Sequence, residues 1–195
     1  MAGTSFDPAG SDRILDAALA QFAQRGYENT TLEAVGAAAG IDRPSLELMF
    51  PTKARLFGVL VNRELERLCR QVIDAVPIDG GEATVGEAVG SALADLLALV
   101  RGHAMSWRLI MHADFGSFEE CQAKDEVREV LSTRLRWLVA STAPVGGPDR
   151  RRASPLMGRM LAALLELNIE LVVNGVPTTL PAEVVEGLDA LFAGG

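Results

Sequence analysis

Cysteine is nearly missing: the 195 residues hold two, Cys69 and Cys121. Two cysteines cannot build a disulfide framework. The chain must fold on an apolar core, and a reduced, cytoplasmic setting is expected. Aromatic residues are scarce at 5%, with a single tyrosine. Excess positive charge is absent too: 18 Lys and Arg stand against 26 Asp and Glu, for a net charge of -8. That balance excludes a polycation that coats nucleic acid along its whole length. Any nucleic-acid role must rest on a local surface. The only histidines, His103 and His112, do not have zinc-ligand spacing, nor do the distant cysteines, so no metal is expected. No uncharged apolar run reaches the roughly 18 residues of a membrane span. The best candidate, residues 160–173, is broken by Glu166, Asn168 and Glu170. The first residues carry no apolar leader. A soluble protein without a membrane partner is expected. Phosphate loops, Gly-x-Ser-x-Gly elbows and strand-linked dinucleotide fingerprints are also absent, so neither an enzyme nor a cofactor is expected.

What is present is aliphatic. Apolar residues make up 49% of the chain, too many for disorder. Ala and Leu dominate, and apolar residues do not alternate with polar ones for long, which points to an all-α fold. Gly and Pro divide the chain into about nine helical segments. The first runs roughly from Asp12 to Arg25 and ends at Gly26. Two short helices follow, one from Thr30 to Gly40 and one over 43–50 with Asp42 as N-cap. A long helix runs from 51 to 75. Thr30–Glu33, Thr84–Glu87 and Ser117–Glu120 have capping-box spacing. Further helices are expected over 84–101, 103–112, 117–141, 155–173 and 181–192.

Residues 32–50, LEAVGAAAGIDRPSLELMF, read as a helix-turn-helix. Val35 is the apolar anchor of the first helix, and Gly36 leaves room where the second crosses it. Gly40 supplies the positive φ of the turn, and Ile41 plugs the corner. Leu46 and Met49 form the buried face of the second helix. Pro44 falls in its first turn, where a missing N–H costs little.

With these positions in hand, residues 12–60 resemble the TetR family of transcriptional regulators. The likeness is carried by Ile14-Leu15-Asp16-Ala17-Ala18, Phe22, Arg25-Gly26-Tyr27, Thr31, Ala39-Gly40-Ile41, Leu46, Phe50-Pro51, Lys53 and Leu56. It implies an N-terminal helix-turn-helix DNA-binding domain, residues 1–51, and a helical ligand-binding and dimerisation domain, residues 52–195. Residues 52–76 would be the connecting helix. The resemblance implies that Thr30 and Thr31 open the first motif helix, where hydroxyls and N–H groups meet phosphate. Asp42, Arg43, Pro44, Ser45, Glu47 and Leu48 would face double-stranded DNA from the second helix. Arg43 is able to read guanine, and Lys53 would contact phosphate.

This chain departs from the family where Glu47 replaces a common Tyr, Pro44 a common Gly and Met49 a common His. Glu47 beside phosphate is repulsive, and Asp42 adds a second negative charge. Three readings stay open: an unusual operator preference, weak DNA binding, or a head that no longer binds DNA. Residues 1–75 carry eight cations against ten acids, so the acidity lies mostly beyond them.

The helix at 155–173 is apolar nearly all round, more than one face can use. By resemblance it and the last helix form a four-helix bundle in a homodimer, through Leu161, Leu165, Ile169, Val172, Val184, Leu188 and Leu191. Glu166 and Glu170 should face solvent or arginines such as Arg159. A pocket for a small apolar ligand is likewise implied. His103, Trp107, Met111, Phe115, Phe118, Trp137 and Asn168 are candidates for its lining, with His112 as a further polar handle. The expected function is a ligand-responsive regulator, a repressor that binds a palindromic operator as a dimer. The alternative is a helical ligand-binding or protein-interaction dimer without operator binding.

Overall fold

The computed structural model describes residues 8–111, 118–142 and 155–176, together with 186, 187 and 190. Every regular element among them is helical. We number the helices α1 (Pro8–Arg25), α2 (Leu32–Ala39), α3 (Arg43–Met49), α4 (Lys53–Ala75), α5 (Val85–Gly102), α6 (Ala104–Met111), α7 (Phe118–Thr142) and α8 (Pro155–Val173). Residues 186, 187 and 190 are helical as well. No single helix among the described residues is long and apolar enough to cross a membrane.

Helix α1 buries Ile14, Leu15, Ala18, Leu19 and Phe22, the stripe that its spacing predicts. Its stop is Gly26, whose φ of 78° ends the helix in the left-handed region. The next N-cap departs by one residue from the Thr30–Glu33 expectation. Thr31 is the cap, and its hydroxyl accepts from the Ala34 N–H. Thr30 is fully buried, and its hydroxyl donates to Gly26 O at 2.7 Å. A side chain committed to that turn is not on the DNA-facing surface, so Thr30 leaves the contact set. The Thr84–Glu87 box forms in full, with Thr84 N donating to Glu87 Oε2 at 2.9 Å. The Ser117–Glu120 expectation lies outside the described residues.

Helix α4 starts from the N-cap Thr52 and ends at Val76. It packs on α1 at one end and on α5, α6 and α7 along its length, so it joins the head to the rest of the chain. Helices α7 and α8 form the most extensive pair. Arg128 of α7 grips Glu166 of α8 in a fork, from Nε at 2.5 Å and Nη2 at 2.8 Å. Glu166 therefore finds a partner on another helix rather than in Arg159. The hydrogen bond to Glu166, reinforced by the charges of Glu166 and Asp125, raises the Arg128 pKa against a desolvation penalty.

Helix α8 divides into two apolar stripes, which corrects the expected interface. Leu161, Leu165 and Ile169 are at most 3% exposed and face this chain's own core, and Val172 is half-buried against it. A residue already covered by its own chain cannot offer that surface to another. The outward stripe is Met160, Leu164 and Leu167, at 55%, 48% and 55% exposure. Val184, Leu188 and Leu191 lie outside the described residues.

Candidate nucleic-acid interface

The helix-turn-helix forms where the residues require it. Val35 is fully buried, and Gly40 sits at φ 66° with its N–H on Ala37 O and Gly36 O. A Cβ at Gly36 would stand 3.0 Å from Ile41 O and 3.3 Å from Leu46 Cδ2. The small residue is thus demanded by the crossing of α2 and α3. Leu46 is buried and Met49 half-buried beneath the second helix, and Ile41 packs in the corner.

Three contacts fasten this unit to its surroundings. Arg13 of α1 donates to Ala39 O at 2.8 Å, on the unsatisfied C-terminal carbonyls of α2. Lys53 donates to Tyr27 O at 2.9 Å, and its ammonium lies 4.2 Å from the Tyr27 ring centroid. Tyr27, Phe22 and Phe57 form an aromatic cluster with centroids 4.9–5.8 Å apart. Lys53 is thus committed to holding the start of α4 against the α1–α2 turn.

Asp42, Arg43, Pro44, Ser45 and Leu48 are exposed on the outer side of α3, with Leu48 at 71%. Asp42 caps the helix with both oxygens: Oδ1 accepts from the Ser45 N–H and Oδ2 from the Ser45 hydroxyl, each at 3.0 Å. Those two bonds, the backbone one first, hold its carboxyl below the usual range. Arg43 is clasped by acids from two helices. Its Nε donates to Glu47 Oε1 at 2.7 Å, and its Nη1 lies 2.6 Å from Glu33 Oε1 on α2. The Glu47 hydrogen bond, then the charges of Glu33 and Glu47, raise the Arg43 pKa. The clasp was not anticipated, although Glu47 at i+4 from Arg43 is a legible pairing.

Of the residues expected to line a ligand pocket, the described ones lie on α5, α6, α7 and α8. Trp107 and Met111 share the buried face of α6. Among the described residues the Trp107 indole N–H has no partner. His103 is half-buried as the C-cap of α5. Trp137 is 53% exposed, with Arg136 over its ring at 5.2 Å, and Asn168 donates to Leu164 O along the surface of α8. An outward side chain cannot line an interior pocket, so Trp137 leaves that set, while Asn168 is half-buried. Phe115, His112 and the Phe118 side chain are outside the described residues. A cleft of about 480 Å³ opens elsewhere, between the end of α4, the following loop, α5 and α7. It is lined in part by Asp79, Glu87 and Asp95, and contains none of the expected ligand residues.

An exposed helix set on a buried crossing defines the class: a helical protein with a helix-turn-helix head. Residues 14–60 match the family of bacterial regulatory proteins, tetR family. That match covers the helix-turn-helix and the helices on either side of it, and the described residues take a fold like that of TetR-like regulators. A TetR-like transcriptional regulator from Rhodococcus sp. RHA1 is 23% identical, with a TM-score of 0.73 over 97% of this chain and 98% of that one. A tetR-family regulator from Streptomyces coelicolor is 22% identical, with a TM-score of 0.68 over 97% of this chain and 81% of that one. The regulator FadR from Bacillus subtilis, in complex with stearoyl-CoA, is 17% identical, with a TM-score of 0.64 over 94% and 98%. The search of curated proteins returned no match.

Proposed function

We propose that this protein is a ligand-responsive transcriptional repressor that binds a palindromic operator as a homodimer. The observation that carries this reading is the outer face of α3. It exposes Arg43, Ser45 and Leu48 on a helix whose other side is locked by Leu46, Gly36 and Ile41. A recognition helix needs this division between an exposed reading face and a buried mounting face. The domain division proposed is residues 1–51 for the head and 52–195 for the body. Thr31, Asp42, Arg43, Pro44, Ser45, Glu47 and Leu48 form the proposed DNA face.

The outward stripe of α8, Met160, Leu164 and Leu167, is the proposed dimer surface, together with Val184, Leu188 and Leu191. Two recognition helices related by a two-fold axis would then meet two half-sites. The proposed ligand is a small apolar molecule held beside Trp107 and Met111, where the buried indole N–H lacks an acceptor among the described residues. The fatty-acyl ligand of the Bacillus subtilis neighbour supports an apolar class and no particular compound. Ligand binding would act through α4, which touches both α6 and α1. Only a ligand that prefers one head spacing over the other can shift DNA affinity.

The test is selection from a random duplex pool at low salt, followed by sequencing. Enrichment of an inverted repeat supports the reading, and a pool that stays random refutes it. The open rival, a helical dimer that binds ligand or protein but no operator, predicts the second result.

A further inference from the structure

Arg43 is held before any DNA arrives. Glu47 reaches it from its own helix and Glu33 from α2, at 2.7 Å and 2.6 Å. Asp42, the neighbour that could compete, has both oxygens on Ser45. Glu33 is kept ionised, its pKa lowered by its own backbone N–H at the start of α2, then by Arg43, then by the Thr31 hydroxyl. A guanidinium is a planar fork of five N–H donors. Among the described residues, the clasp engages Nε and Nη1 and leaves Nη2 without an acceptor, on a side chain that is 62% exposed.

We propose that Glu33 and Glu47 are positioning residues that aim Arg43 at one guanine, read through the donors the clasp leaves free. This rests on the DNA-binding reading above. It assigns the two acids a role in specificity rather than in spoiling the contact.

Three arguments support it. Exposed ion pairs add little to folding, so the clasp has small value as a stability device. An unheld arginine samples many rotamers and reaches any nearby phosphate. A held one has its ordering cost met in advance and offers its donors in one direction. Charge separates the two targets as well. Glu33 and Glu47 offset the positive charge of Arg43, and Asp42 adds a further negative one. A phosphate gains little from such a patch, whereas the guanine O6 and N7 edge is an uncharged acceptor pair that needs only donors.

The experiment compares the wild-type chain with Arg43→Ala, Glu33→Ala, Glu47→Ala, the double Glu33→Ala/Glu47→Ala and Glu47→Gln. Each is titrated against the duplex selected by the wild type, against single-pair variants of it, and against a random duplex. The wild type should discriminate one G·C pair per half-site by roughly ten-fold or more, and Arg43→Ala should erase that preference alone. The double variant should bind the random duplex more tightly, with steeper salt dependence, and lose most of the discrimination at that same pair. Glu47→Gln, which still accepts a hydrogen bond, should fall between. If the double variant tightens on every duplex and keeps the discrimination, the acids only repel DNA and the inference is overturned. If Arg43→Ala leaves that preference intact, it is overturned as well. A wild type that selects no sequence refutes the DNA-binding reading itself, before any variant is made.

Discussion

Three arginines that a charge count assigns to the surface are tied to the ends of helices. Arg13 donates to Ala39 O at the end of α2. Arg134 donates to Val76 O and Ile73 O at the end of α4, and Arg108 to Val173 O at the end of α8. Each places a cation on the negative end of a helix and satisfies carbonyls that the helix leaves open. Their partners are 26 to 65 residues away in the chain, so no local pattern reveals them. Local caps were legible for the opposite reason: Asp42–Ser45 and Thr84–Glu87 each close within three residues. Thr30 was misplaced because it and Thr31 are chemically alike, and only burial tells which one caps. Asp42 carries a pH prediction. Its folded pKa is lowered by the Ser45 bonds, so its stabilisation is full above the ordinary aspartate value of about 3.9 and is lost as pH falls through the folded value. Asp42→Ala should therefore melt below the wild type at neutral pH. The gap should close on acidification, as followed by circular dichroism. A gap that does not depend on pH would contradict the charged-cap account.

At the scale of elements, α4 joins head and body, and an ion-pair chain anchors it to α1. Arg63 of α4 lies 2.9 Å from Asp16 of α1 and 2.7 Å from Glu64, whose side chain is fully buried. Removing one partner strands the Glu64 carboxylate. Arg63→Met should therefore cost about 3 kcal/mol or more in urea unfolding, by the usual penalty for an uncompensated buried charge. Arg63→Met combined with Glu64→Leu should recover most of that loss, because the stranded charge is gone. Equal loss in the single and double variants would show that packing, not charge, holds α4 there. The sequence signalled that α8 had too many apolar residues for one face. It could not say which stripe turns inward, since Leu161 and Leu164 are equally apolar and differ only in register. Contacts with α7 and α5 settle that register. Leu165→Ala or Ile169→Ala should each cost about 2–5 kcal/mol, as cavity-forming changes in a buried core. Met160→Glu with Leu164→Glu should leave the fold intact.

At the scale of the whole molecule, the outward stripe is what makes the proposed dimer. Sedimentation of the Met160→Glu/Leu164→Glu protein should show a monomer where the wild type sediments as a dimer. A variant that stays dimeric would place the interface elsewhere. Candidate ligand residues were the least legible feature. Trp107 and Trp137 look alike in sequence, yet one is fully buried and the other half exposed. Charge was more informative at this scale. The acidic balance ruled out a generally sticky nucleic-acid binder. The head accordingly offers directed contacts, with Lys53, Arg13 and Arg63 engaged within the protein. Few cations remain to displace counterions, so the salt dependence of DNA binding should be shallow for a dimer. The central claim is that α3 reads sequence from a two-fold assembly. Duplex selection with the wild-type chain tests it most directly. The account predicts an inverted repeat with half-site centres about 10 base pairs or a multiple apart, each half containing a G·C pair that Arg43→Ala ceases to prefer. A pool that remains unenriched at low salt would contradict it.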